Sequence, residues 1–158
     1  MIAPTLNLAL ALLWLFLNPQ TTLGTFLVGY GLGFSLLCLF RKVLPGDAYI
    51  RRTLAFGRFV IRFGAQFILS NVTLAEAVLF RSLDELHPNF IRVDVGDMTR
   101  AEILMLTHCI SLTPGTTTVE IAPDWKSLVI HAFDAGDPRT VCEAIHRGLK
   151  RPLLEFTR

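Results

Sequence analysis

A transmembrane helical hairpin followed by an amphipathic helix and a small cytoplasmic α+β domain is the fold class this sequence predicts, on three observations. Residues 1–40 contain no Asp, Glu, Lys or Arg. Residues 41–83 carry seven basic side chains against two acidic ones, whereas residues 84–158 are slightly acidic. Only from residue 84 does the composition become that of an ordinary globular domain, although the chain as a whole is 52% hydrophobic and 18% charged, against a usual charged fraction of about 25%. The reading divides the chain into 1–50, 51–83 and 84–158, which is about as much as 158 residues can hold.

The neutral block contains two apolar stretches, 2–17 and 23–40, separated by Asn18-Pro19-Gln20-Thr21-Thr22. Proline cannot continue a helix, so this polar segment is a turn and the stretches are two spans. A crossing takes roughly 17–25 apolar residues, which the second stretch meets and the first nearly meets. A secretory leader would show a positive amino-terminal region and a small-residue cleavage site, and the sequence shows neither. Burial of both helices in a soluble core would require a polar face that these forty residues lack. Gly29 and Gly33 lie four apart, with Gly31 between them, and form a strip along which another helix backbone can approach closely.

Orientation follows from the charge that comes next. Arg41, Lys42, Arg51 and Arg52 follow the second span directly. The positive-inside rule therefore places them, the amino terminus and the carboxy-terminal domain in the cytoplasm, as a multi-pass protein.

From Arg52 to about Arg81 the periodicity predicts one amphipathic helix. Arg58, Arg62, Gln66 and Ser70 recur every four residues, while Phe56, Phe59, Val60, Phe63 and Phe67 form the opposing stripe. Holding Arg58 and Arg62 deep in lipid would cost about 2.5–3.5 kcal/mol each. A third crossing would also export the domain that follows. The expectation is a helix in the headgroup plane, its arginines toward phosphate. A span confined to 63–80 is the competing reading.

In the last segment, 90–95 alternates as a half-buried strand does. Thr99 caps a helix from Arg100 to about Ser111, with Glu102 in its first turn. Strands are predicted at 117–122 and 127–133, and a final helix from Pro138 to about Leu149, capped by Asp137 and limited by Pro152. The order β-α-β-β-α is most of a ferredoxin-like sandwich lacking its last strand.

Chemistry is sparse. The two spans hold no ionisable acid or base of the kind that carries protons or cations at mid-membrane depth, and Glu76 of the connecting helix reads as an interfacial side chain. His108, Cys109, Cys142 and His146 would make a metal site only if their helices met, and their spacing is not that of a zinc motif. Thr113-Pro114-Gly115-Thr116 lacks the lysine and second glycine of a phosphate loop and reads as a helix-to-strand turn. Ser111 and Thr113 beside His108 carry no nucleophile signature. The basic middle block has no nucleic-acid motif, and three cysteines without pair spacing fit a reducing compartment. No catalytic, cofactor-binding or metal-binding residue is assigned.

Several stretches together resemble the MnhE family, the E-type subunits of the Mrp-type multisubunit cation/proton antiporters. They are Leu6-Asn7 with Trp14, the glycines at 29–33, the run from Ile110 to Val119 around Thr113-Pro114-Gly115-Thr116, the strand 128–134, and Leu154-Glu155 with Thr157-Arg158. Phe80-Arg81-Ser82 departs from the pattern in lacking a proline after the long helix. The resemblance implies a non-catalytic subunit of a bacterial inner-membrane complex that exchanges sodium or another monovalent cation for protons. Its partners would be the other subunits and membrane lipid. The alternative is a membrane-tethered ligand-binding or sensory domain, and an anchored enzyme ranks behind both.

Overall fold

A computed structural model describes residues 2–43 and 46–158; within the segment read as 1–50, residues 1, 44 and 45 lie outside the description. The chain forms two compact units, 1–54 and 55–158.

In the first unit, α1 (Ile2–Leu17) and α2 (Leu23–Leu39) are joined by the predicted polar turn. Thr22 caps α2, its hydroxyl accepting from the Thr25 amide at 3.2 Å. The next helix, α3 (Asp47–Phe80), begins here and continues into the second unit. By length and composition α3 could cross a bilayer, whereas α1 and α2 are shorter apolar helices of 16 and 17 residues. It ends at Phe80 without a proline, and a single 3-10 turn at 83–85 leads on.

The second unit contains β1 (Asn89–Asp94), α4 (Arg100–Leu112), β2 (Thr116–Ile121), β3 (Ser127–Ala132), α5 (Pro138–Ile145) and α6 (Arg151–Thr157). The sheet order is β1-β3-β2, with both pairings antiparallel. Strand β3 thus lies between the two strands that α4 connects. Ile91 and Val93 of β1 and Leu128, Ile130 and Ala132 of β3 alternate into the core, where Ile103, Leu106 and Ile110 of α4 meet them. A bulge between Thr118 and Glu120 interrupts the edge strand β2.

Two departures from the expected pattern have local causes. The last helix does not stop near Leu149. It passes through a π turn at 146–150 into α6, and the Arg151 amide reaches the His146 carbonyl five residues back. Pro152 has no amide to offer and would crowd the carbonyl four residues before it, so the widened turn takes up the mismatch. Within α3, the aromatic stripe also divides. Phe59 enters the core and Phe63 packs against it, whereas Val60 and Phe67 stay exposed. Phe156 of α6 sits 5.2 Å from both Phe56 and Phe59, ring centre to ring centre, which turns the α3 aromatics toward the sheet.

Buried charge is fully engaged. The Lys150 ammonium lies 2.6 Å from Asp97 and donates to the Asp94 carbonyl at 3.1 Å, and its proximity holds the Asp97 carboxyl below the usual range. Glu102 closes a capping box with Thr99, accepting from the Thr99 amide at 2.7 Å. It also accepts from the Thr157 hydroxyl at 2.7 Å and faces Arg158 at 3.4 Å, tying α4 to the end of α6. Burial pushes this carboxyl upward, but the donors of Thr157, Thr99 and Arg158 outweigh it and leave it at about 2.

A carboxyl depressed in the folded state contributes stability that is complete above its unfolded value of 4.5 and is lost as pH falls toward about 2. Glu102→Gln is expected to destabilise the second unit by about 2 kcal/mol at neutral pH. It is also expected to flatten the acid limb between those two values. Trp125 fluorescence during denaturation of the full chain, in a Trp14→Phe background, checks both. An unchanged acid limb in Glu102→Gln would remove this carboxylate as its source.

Candidate membrane and partner surfaces

Small residues determine how closely α1 and α2 pack. A Cβ added at Gly29 would stand 2.8 Å from the Trp14 Cβ, and one added at Gly33 would press closer still on Asn7 Oδ1. Gly31 faces open space. The pairs Gly29–Trp14 and Gly33–Asn7 run in opposite sequence directions, so the two helices are antiparallel.

Gly33 leaves room for a wholly buried asparagine. Asn7 Nδ2 donates to the Tyr49 hydroxyl at 2.8 Å, and that hydroxyl lies 2.7 Å from the Tyr30 hydroxyl. Residues from α1, α2 and the start of α3 are thereby joined in one polar chain, with Phe34 edge-on to Tyr49 at 5.9 Å. Asn7 Oδ1 is the buried side-chain polar atom that finds no partner among the described residues. In the sequence Asn7 stands out only as part of a family pattern, because its partner is 42 residues away.

Around this polar chain the surface is apolar. Leu13, Phe16 and Leu17 of α1 and Leu23, Leu27 and Leu39 of α2 are exposed. On α3, positions 57, 60, 61, 64, 67, 68, 71, 72, 75, 78 and 79 recur along one side without a charge. Among them Ile61 is 74% exposed, Ile68 66% and Leu79 72%. Asn71, the polar member of that side, returns its amide to the Phe67 carbonyl at 2.8 Å. Continuous exposed apolar surface of this kind marks places where proteins meet partners or membranes.

Arg41, Lys42, Arg51 and Arg52 are all exposed, as are Arg58 and Arg62 farther along α3. The turn at 113–116 closes α4. Thr113 Oγ1 donates to the Cys109 carbonyl at 2.9 Å, and Thr116 Oγ1 to the Ile110 carbonyl at 2.9 Å. Gly115 has φ +90°, a left-handed conformation that other residues adopt only at a cost. Pro114, Gly115 and Thr116 also line a cavity of about 660 Å³, opposite Gln66, Ser70 and Thr73 of α3. The ion pair Arg81–Asp134, at 2.9 Å, stands beside it.

No group of three potential metal ligands converges among the described residues. Cys109 is buried in the core, His108 is exposed with its Nδ1 on the Leu104 carbonyl, and Cys142 Sγ points to the Arg92 carbonyl. Burial raises both thiols above their ordinary range, which leaves them poor ligands and poor nucleophiles.

A family profile described as "Na+/H+ ion antiporter subunit" matches residues 7–156. The chain belongs to this family, MNHE. Among its relatives, the E-type Na(+)/H(+) antiporter subunit of Alkalihalophilus pseudofirmus is 32% identical, over 97% of this chain and 96% of that one. Its counterpart in Bacillus subtilis is 29% identical over the same shares. Two solved structures share the fold. A chain of the membrane-bound sulfane sulfur reductase, an archaeal respiratory membrane complex, matches with TM-score 0.55 at 20% identity, over 96% of both chains. A chain of the Mrp complex from a Dietzia species matches with TM-score 0.50 at 22% identity, over 65% of this chain and 96% of that one. The family is one of transporter subunits and not of enzymes, and its members are parts of membrane complexes.

Crowding at the two glycines yields a graded expectation. Gly33→Ala and Gly29→Ala are each expected to destabilise the first unit by about 1–3 kcal/mol, while Gly31→Ala leaves it unchanged. Thermal unfolding of the detergent-purified chain, followed by the fluorescence of Trp14 in a Trp125→Phe background, compares the three. Equal midpoints for all three would show that this packing does not limit stability.

Proposed function

We propose that this chain is a non-catalytic, accessory subunit of a multisubunit Na+/H+ antiporter, supporting assembly of the complex and cation transport. The observation that carries the reading is the family match over residues 7–156, taken together with apolar surface on all three long helices. The absence of charged residues from 1–40 supports an accessory role, since a chain that moved ions alone would need ionisable groups inside its spans.

In this reading α1 and α2 form a transmembrane hairpin, the exposed cations after α2 face the cytoplasm, and the α/β part lies on the same side. The order β-α-β-β-α and the sheet order β1-β3-β2 support a ferredoxin-like arrangement short of its fourth strand. Support for an in-plane α3 comes from its contacts. Phe56 beside Phe156 and Arg81 paired with Asp134 lie about 38 Å apart along the helix at 1.5 Å per residue, and between them Gln66, Ser70 and Thr73 border a cavity that the sheet and its helices help to line. A helix crossing the bilayer over that length would carry their charged surface into lipid with it. The polar chain of Asn7, Tyr49 and Tyr30 consumes the interior of the first unit, so partner subunits would meet its outward apolar faces.

Affinity purification of the tagged chain from its native membrane in mild detergent tests the proposal. Larger multi-span antiporter subunits are expected to accompany it at a fixed ratio. Recovery of the chain alone, folded and responsive to a small ligand, would favour the membrane-tethered sensory module instead.

A further inference from the structure

Arg58 and Arg62 stand one turn apart on α3, and Arg147 and Arg151 one turn apart on the α5–α6 segment; the four converge on a single cleft of about 440 Å³. Pro152 and Glu155 complete its lining. Arg147 pairs with Glu143 at 2.9 Å, and Arg151 lies 3.7 Å from Glu155. Among the described residues, neither Arg58 nor Arg62 has an ion-pair partner. Of the two glutamates only Glu155 lines the cleft, so its walls hold four guanidinium groups against one carboxylate. Converging like charges repel, and an anion seated between them removes that cost.

The residue type narrows the anion. A planar guanidinium presents parallel N–H donors that match two oxygens of a phosphate, and pairs of arginines from two helices can grip one phosphodiester from both sides. The surroundings narrow its source. On the flank of α3 that bears Arg58 and Arg62, the exposed residues Ala65 and Leu69 continue along the helix, where they also line the cavity opposite Pro114 and Gly115, giving an apolar track that starts at the charged cleft. A free phosphate would make no use of that track, whereas a lipid would lay an acyl chain on it.

We infer that Arg58, Arg62, Arg147 and Arg151 form a binding site for the phosphodiester headgroup of an anionic phospholipid. The inference rests on the membrane reading above and deepens it: residues from the carboxy-terminal helix, and not the α3 arginines alone, hold the headgroup. The π turn serves this site directly. It occupies 146–150, so Arg147 lies within it and Arg151 follows it directly, and its widened geometry sets their relative direction.

Native mass spectrometry of the full chain in a neutral detergent, with phosphatidylglycerol and phosphatidylcholine added in equal amounts, provides the test. The wild-type chain is expected to retain phosphatidylglycerol preferentially. Arg147→Gln/Arg151→Gln and, independently, Arg58→Gln/Arg62→Gln are each expected to weaken that retention about tenfold or more. Arg139→Gln, an exposed arginine outside the cleft, should leave it unchanged. Circular dichroism confirms that each variant is folded. Equal retention by wild type and both double variants overturns the site, as does a wild-type chain with no preference for the anionic lipid. Displacement of the lipid from wild type by excess inorganic phosphate, with phosphate bound in its place, overturns the lipid as the source and assigns the cleft to a soluble phosphate compound. Carbonate extraction of membranes bearing the chain reports separately on the membrane reading. A chain released into the soluble fraction defeats that reading, whereas a pelleted chain with unchanged lipid retention defeats only the cleft.

Discussion

Helix α3 buries Phe59 in the core formed with the sheet while its other side, from position 57 to 79, presents a surface without charge. A 34-residue helix with two such faces must satisfy two environments at once. The inner face is mixed, with Phe59 and Phe63 at one end and Gln66, Ser70 and Thr73 beside the cavity farther along. The outer face has only apolar side chains and a self-bonded Asn71. Water would make the outer face expensive at roughly 25 cal/mol per Å² of apolar area. Lipid or a partner helix would remove that cost, and in the reading proposed above the helix that completes the core of the sheet would also hold it at the membrane.

The first unit solves a different problem. With lipid as their solvent, as proposed above, two apolar helices would gain little from hydrophobic burial against each other, and their contact would depend on close approach and on polar groups with no better partner elsewhere. Gly29 and Gly33 supply the first and the Asn7–Tyr49–Tyr30 chain supplies the second. The two devices are linked, because the space that Gly33 leaves is occupied by the Asn7 amide. Replacing either residue alone would leave a clash or a void.

Much of this is legible in the residues. The boundaries of α1 and α2 follow from uninterrupted hydropathy and one proline-bearing turn, and Thr99 with Glu102 announces the start of α4. Alternation locates the strands to within a residue at each end. What cannot be read is everything that depends on long-range pairing. Glu102 is recognisable as a first-turn residue, but its ties to Thr157 and Arg158 join residues more than 50 apart. The division of the α3 aromatics depends on Phe156, which pattern within α3 cannot reveal. Pro152 looks like a stop because proline usually is one; that the chain widens into a π turn and continues depends on the burial of Leu149, Lys150 and Leu153 around it. The four arginines of the cleft come from two segments about 90 residues apart, and only the spacing of each pair is visible without the fold.

The distribution of charge ties these features to an accessory role. Buried ionic groups among the described residues are confined to the second unit, where Lys150 and Glu102 are each held by several partners and fix helix ends. Groups arranged in this way are poorly suited to passing a proton or a cation, because transfer requires a site that is satisfied in more than one state. Glu102, held at about 2 by donors from three residues, has no accessible protonated state near neutrality. The apolar helices, in turn, carry polar atoms but no charges, and the one buried side-chain acceptor without a partner among the described residues, Asn7 Oδ1, lies closed in against Gly33. This distribution supports the accessory role proposed above. What this chain has to offer is surface: an apolar side of α3, a rim of arginines, and an α/β layer packed on the same helix.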